Sequence, residues 1–160
     1  GWVINEIKHN PNSRRLVISA WHPANAVISK LPPCHYTFTF NVNNGKLNCH
    51  LTQRSGDIAL GIPFNLAAYS MLTQIIAQET NLELGQFAHT IVDAHIYHAV
   101  SGSEMEKFDH LAGLKQQLLR DPLPLPKLKI AKKPIDELKF EDFELIDYKC
   151  HDKIKFEVAV

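Results

Sequence analysis

Two runs of strict alternation meet across an Asn-Gly pair, and that arrangement leaves little choice of local fold. Tyr36, Phe38, Phe40 and Val42 alternate with Thr37, Thr39 and Asn41, a period of two. After Asn44-Gly45 the pattern resumes, with Leu47, Cys49 and Leu51 alternating with Asn48, His50 and Thr52. Period-two alternation sends successive side chains to opposite faces of a strand. Asn-Gly tolerates the positive φ that a two-residue hairpin turn demands. The stretch therefore predicts a long β-hairpin with one apolar face. Cys34 enters it at one end and Arg54 leaves at the other, which brings both to one rim of a sheet.

The rest of the chain mixes helix and strand. Trp2, Val3, Ile4 and Ile7 repeat at near-helical spacing before Asn10-Pro11-Asn12-Ser13 stops them, and Leu16–Trp21 reads as a buried strand. Pro63 lies near the first turn of a helix running to about Gln78. Its apolar residues (Leu66, Ala67, Ala68, Met71, Leu72, Ile75, Ile76, Ala77) cover most faces, which marks it as central. Thr90–Tyr97 reads as a strand. Ser103 and Glu106 form a capping-box pattern, predicting a surface helix to about Leu119. Asp121-Pro122-Leu123-Pro124-Leu125-Pro126 leads into a strand at Lys127–Ile130, and Phe140–Glu144 supplies a last strand. The fold class is α+β, a large mixed sheet with a central buried helix and surface helices.

At 160 residues the chain fits one domain, residues 1–160, that buries about 68–70% of its unfolded surface. It opens at Gly1-Trp2-Val3-Ile4, already helical in pattern, so we expect it to be the C-terminal part of a longer protein. Seventeen lysines and arginines balance seventeen aspartates and glutamates. Zero formal charge argues against DNA as partner, because polyanion binding rests on many phosphate contacts. Three dispersed cysteines suit a reducing compartment, and no apolar run approaches the roughly 18 residues of a membrane span. The expected location is the cytoplasm, with no membrane partner.

Leu31-Pro32-Pro33-Cys34-His35 holds a cysteine behind two prolines, whose fixed torsions aim the sulfur with little entropy left to lose. Gln53-Arg54-Ser55-Gly56-Asp57 brings a guanidinium to the same rim. Such a neighbour lowers a thiol from about 8.5 to roughly 3.5–7.5 and so makes a nucleophile at neutral pH. Arg14-Arg15 reads either as a solvated loop pair or, with Arg54 and Ser55, as a cradle for phosphate. Asn65 reads either as a helix cap or as an amide facing a pyrimidine edge that offers N–H beside C=O. His95 and Tyr97 share one strand face, suited to a sugar hydroxyl or to a structural role. His95-Ile96-Tyr97-His98 lacks further ligands at metal spacing, so no metal site is expected. From the residues alone the reading is nucleotide chemistry through a covalent thiol adduct.

These motifs resemble those of the thymidylate synthases. The likeness runs in order through Ser13-Arg14-Arg15, Ser19-Ala20-Trp21, Leu31-Pro32-Pro33-Cys34-His35, Asn44-Gly45-Lys46-Leu47 and Gln53-Arg54-Ser55-Gly56-Asp57. It continues through Leu60-Gly61-Ile62-Pro63-Phe64-Asn65, Asp93-Ala94-His95-Ile96-Tyr97, Pro124-Leu125-Pro126-Lys127-Leu128, Phe140-Glu141-Asp142-Phe143 and Val158-Ala159-Val160.

The resemblance implies reductive methylation of dUMP to dTMP. 5,10-Methylenetetrahydrofolate is the implied donor of both carbon and hydride, with no metal and no nicotinamide. It makes Cys34 the nucleophile at uracil C6, and counts Arg54, Asp57 and Asn65 with it in the catalytic set. Gln53, Arg54, Ser55, Asp57, Asn65, His95 and Tyr97 would bind dUMP, Asn65 reading the base and His95 with Tyr97 the 3′-hydroxyl. Arg14 and Arg15 would reach the phosphate of a partner subunit, implying a homodimer with shared sites. Asp57 would meet the folate pterin, with Leu31, Leu60, Gly61, Phe64 and Ala159 along the folate, and Val158-Ala159-Val160 would close over the complex. Gly56 stands where many relatives have cysteine, Ile91-Val92 where they have Gly-Gly, and His22 where asparagine is common. Such relatives also carry N-terminal groups that Trp2 does not match: a further phosphate arginine, a catalytic glutamate, and tryptophans over the folate. The alternatives are a related dCMP or pyrimidine hydroxymethylase, disfavoured by Asn65, and an inactive nucleotide- or RNA-binding homologue.

Overall fold

A computed structural model describes residues 1–158. The hairpin forms as its pattern requires. Strand β2 (His35–Asn43) turns through Asn44 (φ 51°) and Gly45 (φ 73°) into β3 (Lys46–Asp57), with Asn43 opposite Lys46 and Phe40 opposite Cys49. Both turn residues occupy the left-handed region, the geometry of the tightest hairpin turn. Strand β1 (Val17–Ser19) adds antiparallel to β2 at the edge. Helix α3 (Gly61–Glu79) then carries the chain across to β4 (Glu83–His95), which pairs parallel to β3. The sheet order is β1-β2-β3-β4, and β5 (Lys127–Ile130) and β6 (Phe143–Ile146) make a separate antiparallel pair.

One face of the four-stranded sheet carries the core. Phe40, Leu47 and Cys49 pack with Ile76 and Ala77 of α3, Leu16, and Ile7 of the first helix, α1 (Trp2–His9). Leu47 and Leu51 are fully inaccessible. Burying such side chains is worth about 1.5–3 kcal/mol each and is what pins the hairpin register, since a one-residue slip would turn them outward. The opposite face exposes Val17, His50, Ala88, Thr90 and Val92.

Several sequence expectations are corrected. Helix α3 buries Ile62, Tyr69, Thr73, Ile76 and Ala77, but Leu66 and Met71 are exposed, because a crossover helix meets its sheet along one stripe. The strand expected from Thr90 begins at Glu83 and ends at His95, two residues before Tyr97. Parallel pairing with β3 extends it through a segment of weak local pattern. The buried strand expected over Leu16–Trp21 shrinks to three edge residues.

No helix starts at Ser103. The Glu106 carboxylate turns back to accept from the Gly102 N–H (2.8 Å) and Ser101 Oγ (3.1 Å), closing a turn. Asp109 Oδ1 accepts instead from the Leu111 N–H at 2.8 Å, so helix α4 runs Leu111–Leu118. Phe140–Asp142 is a 3-10 turn, and β6 starts only at Phe143. A short helix, α2 (Pro23–Ile28), was not anticipated. His22 caps it, Nδ1 accepting from the Asn25 N–H at 3.4 Å, with Pro23 in the first turn. The histidine thus does at its N-cap what the commoner asparagine does.

Candidate active site at the end of the hairpin

The C-terminal end of β3 concentrates the polar residues. Arg54 N–H donates to the Cys34 carbonyl at 2.9 Å, so the cysteine lies directly across from the arginine at the mouth of the hairpin. The Arg54 side chain holds the loop that presents the thiol. Nε donates to Pro33 O (3.2 Å) and Nη2 to Pro32 O (2.6 Å), so two carbonyls just before Cys34 are clamped by one rigid fork. The sulfur is half-buried. Cys49 makes the contrast: it is buried in the core, where burial pushes its thiol up, partly offset by a contact to Thr73. Next to the candidate nucleophile, His35 Nδ1 pairs with the Tyr69 hydroxyl at 2.8 Å, and burial raises the Tyr69 phenol so that it stays protonated. His35 was passed over in the sequence except as part of its motif. Its adjacency to Cys34 was the available signal.

Gln53 is buried, and both its amide hydrogens and its oxygen are bonded within the protein. Its amide NH2 donates to Ser55 O and to Asn65 Oδ1, each at 2.9 Å, while its Oε1 pairs with His89 Nε2 at 2.9 Å. The Ser55 carbonyl can only accept, so the Gln53 amide has one orientation, and His89 must donate. Burial lowers the pKa of His89, with a further push from His50, so the ring stays neutral and fits that role. Asn65 therefore turns its oxygen toward Gln53. It sits one turn into α3, whose N-cap is Leu60, so the reading of Asn65 as the cap is set aside.

Asp57 ends β3 and braces the turn that leads into α3. Its Oδ1 accepts from Ala59 N–H and its Oδ2 from Leu60 N–H, both at 3.1 Å. Ser55 pairs with Asp93 across the parallel ladder, and Gly56 with Ala94. Gly56 is tightly enclosed: an added Cβ would lie 2.3 Å from Ile62 Cδ1 and 3.2 Å from Ile91 Cγ2. The unusual Ile91 thus takes up space that a residue larger than glycine at 56 would need. His95 and Tyr97 meet edge to face at 5.1 Å between ring centres, although Tyr97 lies beyond the strand. Phe64 and Leu31 are largely exposed, and Leu60 and Gly61 sit at the start of α3 beside Asp57. Ala159 and Val160 lie outside the described residues, while Val158 is described and exposed.

Arg14 and Arg15 occupy the exposed loop before β1. The register Val17–Thr39 and the bond from Phe40 N–H to Leu16 O put Arg15 about level with Asn41. That is seven residues along β2 from Cys34, about 23 Å at roughly 3.3 Å per residue. Within one chain they do not join the other candidates. A groove of about 430 Å³ on the sheet's open side, lined by Ser19, Trp21, Tyr36, Thr37, Arg54 and Val92, also excludes Cys34, Asp57 and Asn65. Only Arg54 touches both. No group of three potential metal ligands clusters among the described residues.

The thymidylate synthase family model matches residues 1–160. This chain belongs to the thymidylate synthase family. It is 51% identical over 159 residues to a thymidylate synthase of Mycoplasma pneumoniae, covering 99% of this chain and 52% of that protein. Identity is 50% with a thymidylate synthase of Mycoplasma mobile (99% and 52%) and 46% with one of Haloferax volcanii (99% and 58%). The chain thus spans little more than half the length of these curated relatives. Two structurally engaged residues, His89 and His110, did not stand out among the nine histidines in the sequence of this family member. His110 is buried beside Asp57, its Nδ1 3.5 Å from Asp57 Oδ1.

Proposed function

We propose that this chain carries the nucleophile and the nucleotide-reading half of a thymidylate synthase site, converting dUMP to dTMP with 5,10-methylenetetrahydrofolate. The observation that carries the reading is the clamp of Arg54 on the Pro32 and Pro33 carbonyls, which fixes the Cys34 loop from across the hairpin. Cys34 as thiolate adds to uracil C6, and the ring electrons it displaces make C5 nucleophilic. The folate supplies the carbon that C5 captures; loss of the C5 proton then expels the folate nitrogen and leaves an exocyclic methylene, and hydride from the folate ring completes the methyl group as the Cys34 thiolate leaves C6. Arg54 and Ser55 hold the phosphate, His95 and Tyr97 the 3′-hydroxyl, and Asp57 the pterin beside Leu60 and Gly61.

The Gln53–Asn65 bond supports uracil over cytosine. With its oxygen held by Gln53, Asn65 keeps a second lone pair for a base N3–H. Cytosine offers a bare N3 there, and a reversed Asn65 would set its NH2 against the NH2 of Gln53. That disfavours the dCMP hydroxymethylase alternative. The exposed sheet face with Val17 and Val92, and the distance from Cys34 to Arg14 and Arg15, support a homodimer in which these arginines serve the partner's site. No helix among the described residues is long and apolar enough to cross a membrane, and we propose a cytoplasmic enzyme.

The test is intact mass after mixing the full-length protein with 5-fluoro-dUMP and methylenetetrahydrofolate, since C5 fluorine cannot leave as the proton does. A covalent ternary adduct that Cys34→Ser abolishes is the expected result. No adduct with the wild-type protein would overturn the reading in favour of an inactive binding module.

A further inference from the structure

His110 has a buried ring whose two nitrogens face different parts of the molecule. Only 1% of the residue is exposed. Its Nε2 lies 2.8 Å from the Glu157 carbonyl, which only accepts, so Nε2 carries a proton and donates it. Among the described residues its Nδ1 has no hydrogen-bond partner, yet it faces Asp57 Oδ1 at 3.5 Å. Unpaired buried nitrogens are costly and need an explanation. With a second proton, on Nδ1, the ring is an imidazolium that donates to the Asp57 carboxylate, whose Oδ1 already accepts from the Ala59 N–H, and a small approach of either side chain makes the bond.

The tail that His110 holds is seated by shape as well. Phe156 lies edge to face with His110, ring centres 5.1 Å apart, and Tyr97 is likewise edge to face with the imidazole, at 5.6 Å between ring centres. Gly113, one turn into α4, is the other half of the seat: a Cβ there would lie 2.5 Å from Phe156 Cε1 and 3.0 Å from Ile154 Cγ2. Residues 154–157 therefore lie in a slot whose floor is glycine and whose end is the histidine. The Glu157 side chain takes no part; it pairs with Lys155 at the surface, and only its carbonyl enters the slot.

We propose that His110 is a positioning residue that couples the C-terminal segment to the Asp57 carboxylate, one ring nitrogen for each. Seating the tail orients the imidazole, and the imidazole fixes Asp57 Oδ1. The role at the folate rests on the thymidylate synthase reading; the bridge itself does not.

The experiment uses the full-length protein with His110→Phe, which keeps the ring contacts and removes both nitrogens, and Asp57→Ala, alone and combined. The first readout needs no substrate: the rate at which carboxypeptidase trims the C-terminus. One lost hydrogen bond corresponds to about tenfold, so His110→Phe trims about tenfold faster. Asp57→Ala also speeds trimming, but adds nothing once His110 is phenylalanine. Loss of the Asp57 bonds to Ala59 and Leu60 alone would instead add equally in both backgrounds, and that result overturns the bridge. So does a His110→Phe rate within about twofold of wild type. The second readout is kinetic: His110→Phe raises KM for the folate about tenfold while the dUMP Kd stays within about twofold. Equal weakening of both ligands would reduce His110 to a general structural role and refute the positioning. A wild-type protein that makes no dTMP would sink the functional reading, and the trimming cycle would still decide the bridge.

Discussion

Gly56→Ala tests how the β3 end is packed against α3. Gly56 is buried and has no positive φ, so the backbone accepts alanine and the whole penalty is steric. The new Cβ would lie 2.3 Å from Ile62 Cδ1, 3.1 Å from Ile62 Cγ1 and 3.2 Å from Ile91 Cγ2. Overpacking of this kind costs about 1–3 kcal/mol. Alanine also restricts the unfolded chain, which returns about 0.4–1 kcal/mol. The net loss is about 1–2 kcal/mol, or about 2–8 °C in melting temperature at about 2–4 °C per kcal/mol for a domain of this size. Ile62→Val deletes the worst-placed atom and by itself costs about 0.5–1.5 kcal/mol. Because both changes act on one contact, the double variant should be about as stable as Ile62→Val alone, a coupling of about 1–2 kcal/mol. Urea and thermal unfolding of the four proteins measure it. If the double variant loses the sum of the singles to within about 0.5 kcal/mol, the packing argument is wrong. Gly56 lies between Ser55 and Asp57, so the same clash should also slow adduct formation.

Two further outcomes follow from particular hydrogen bonds. The Asp109 carboxylate is held below the usual range first by the Ala99 and Leu111 N–H groups and then by His98. A depressed folded-state pKa stabilises fully above the unfolded value of about 3.9 and is lost as pH falls through the folded one. The gap in urea midpoint between wild type and Asp109→Asn should therefore hold from pH 7 to 5 and shrink below about pH 4; a gap that persists unchanged in acid contradicts this. At the Cys34 loop, Arg54→Lys replaces a two-carbonyl fork with a single ammonium. Losing one charge-assisted bond of about 1.5–3 kcal/mol should slow the 5-fluoro-dUMP adduct about 10- to 100-fold, and an unchanged rate would show that the clamp does not position the thiol.

What was legible in the sequence was set by local pattern. The β2–β3 hairpin needed only alternation and Asn44-Gly45, and α3 only a long apolar run after Pro63. β4 was half-read because Glu83–His89 gains its strand from parallel pairing with β3, a contact no window of the sequence contains. The Ser103/Glu106 pattern misled for a related reason. A capping box fixes a helix start only when nothing nearby competes, and here Glu106 is taken by Gly102 while Asp109 accepts from the first residue of the later helix. α2 carried its own signal, a polar His22 ahead of Pro23, but with only six residues it lacked the periodicity that would have raised it above loop.

The site shows the same division at finer grain. Gln53, Arg54, Ser55 and Asp57 lie within five residues because one strand end can send alternate side chains to opposite faces. Sequence reading could gather them but not assign their partners. Arg54 was expected to act on the sulfur; its bonds go to the carbonyls before it, so its first contribution is to aim Cys34. Gln53 was expected at the nucleotide, and its buried amide also holds the Asn65 oxygen. His110 was not visible at all, since its partners lie 53 residues before it at Asp57 and 47 after it at Glu157. Asn65 and Asp57 are each faced by a neighbour distant in sequence and nearly without exposure, Gln53 and His110. A substitution that preserves every motif can therefore still weaken the site, and His110→Phe is the plainest test of that.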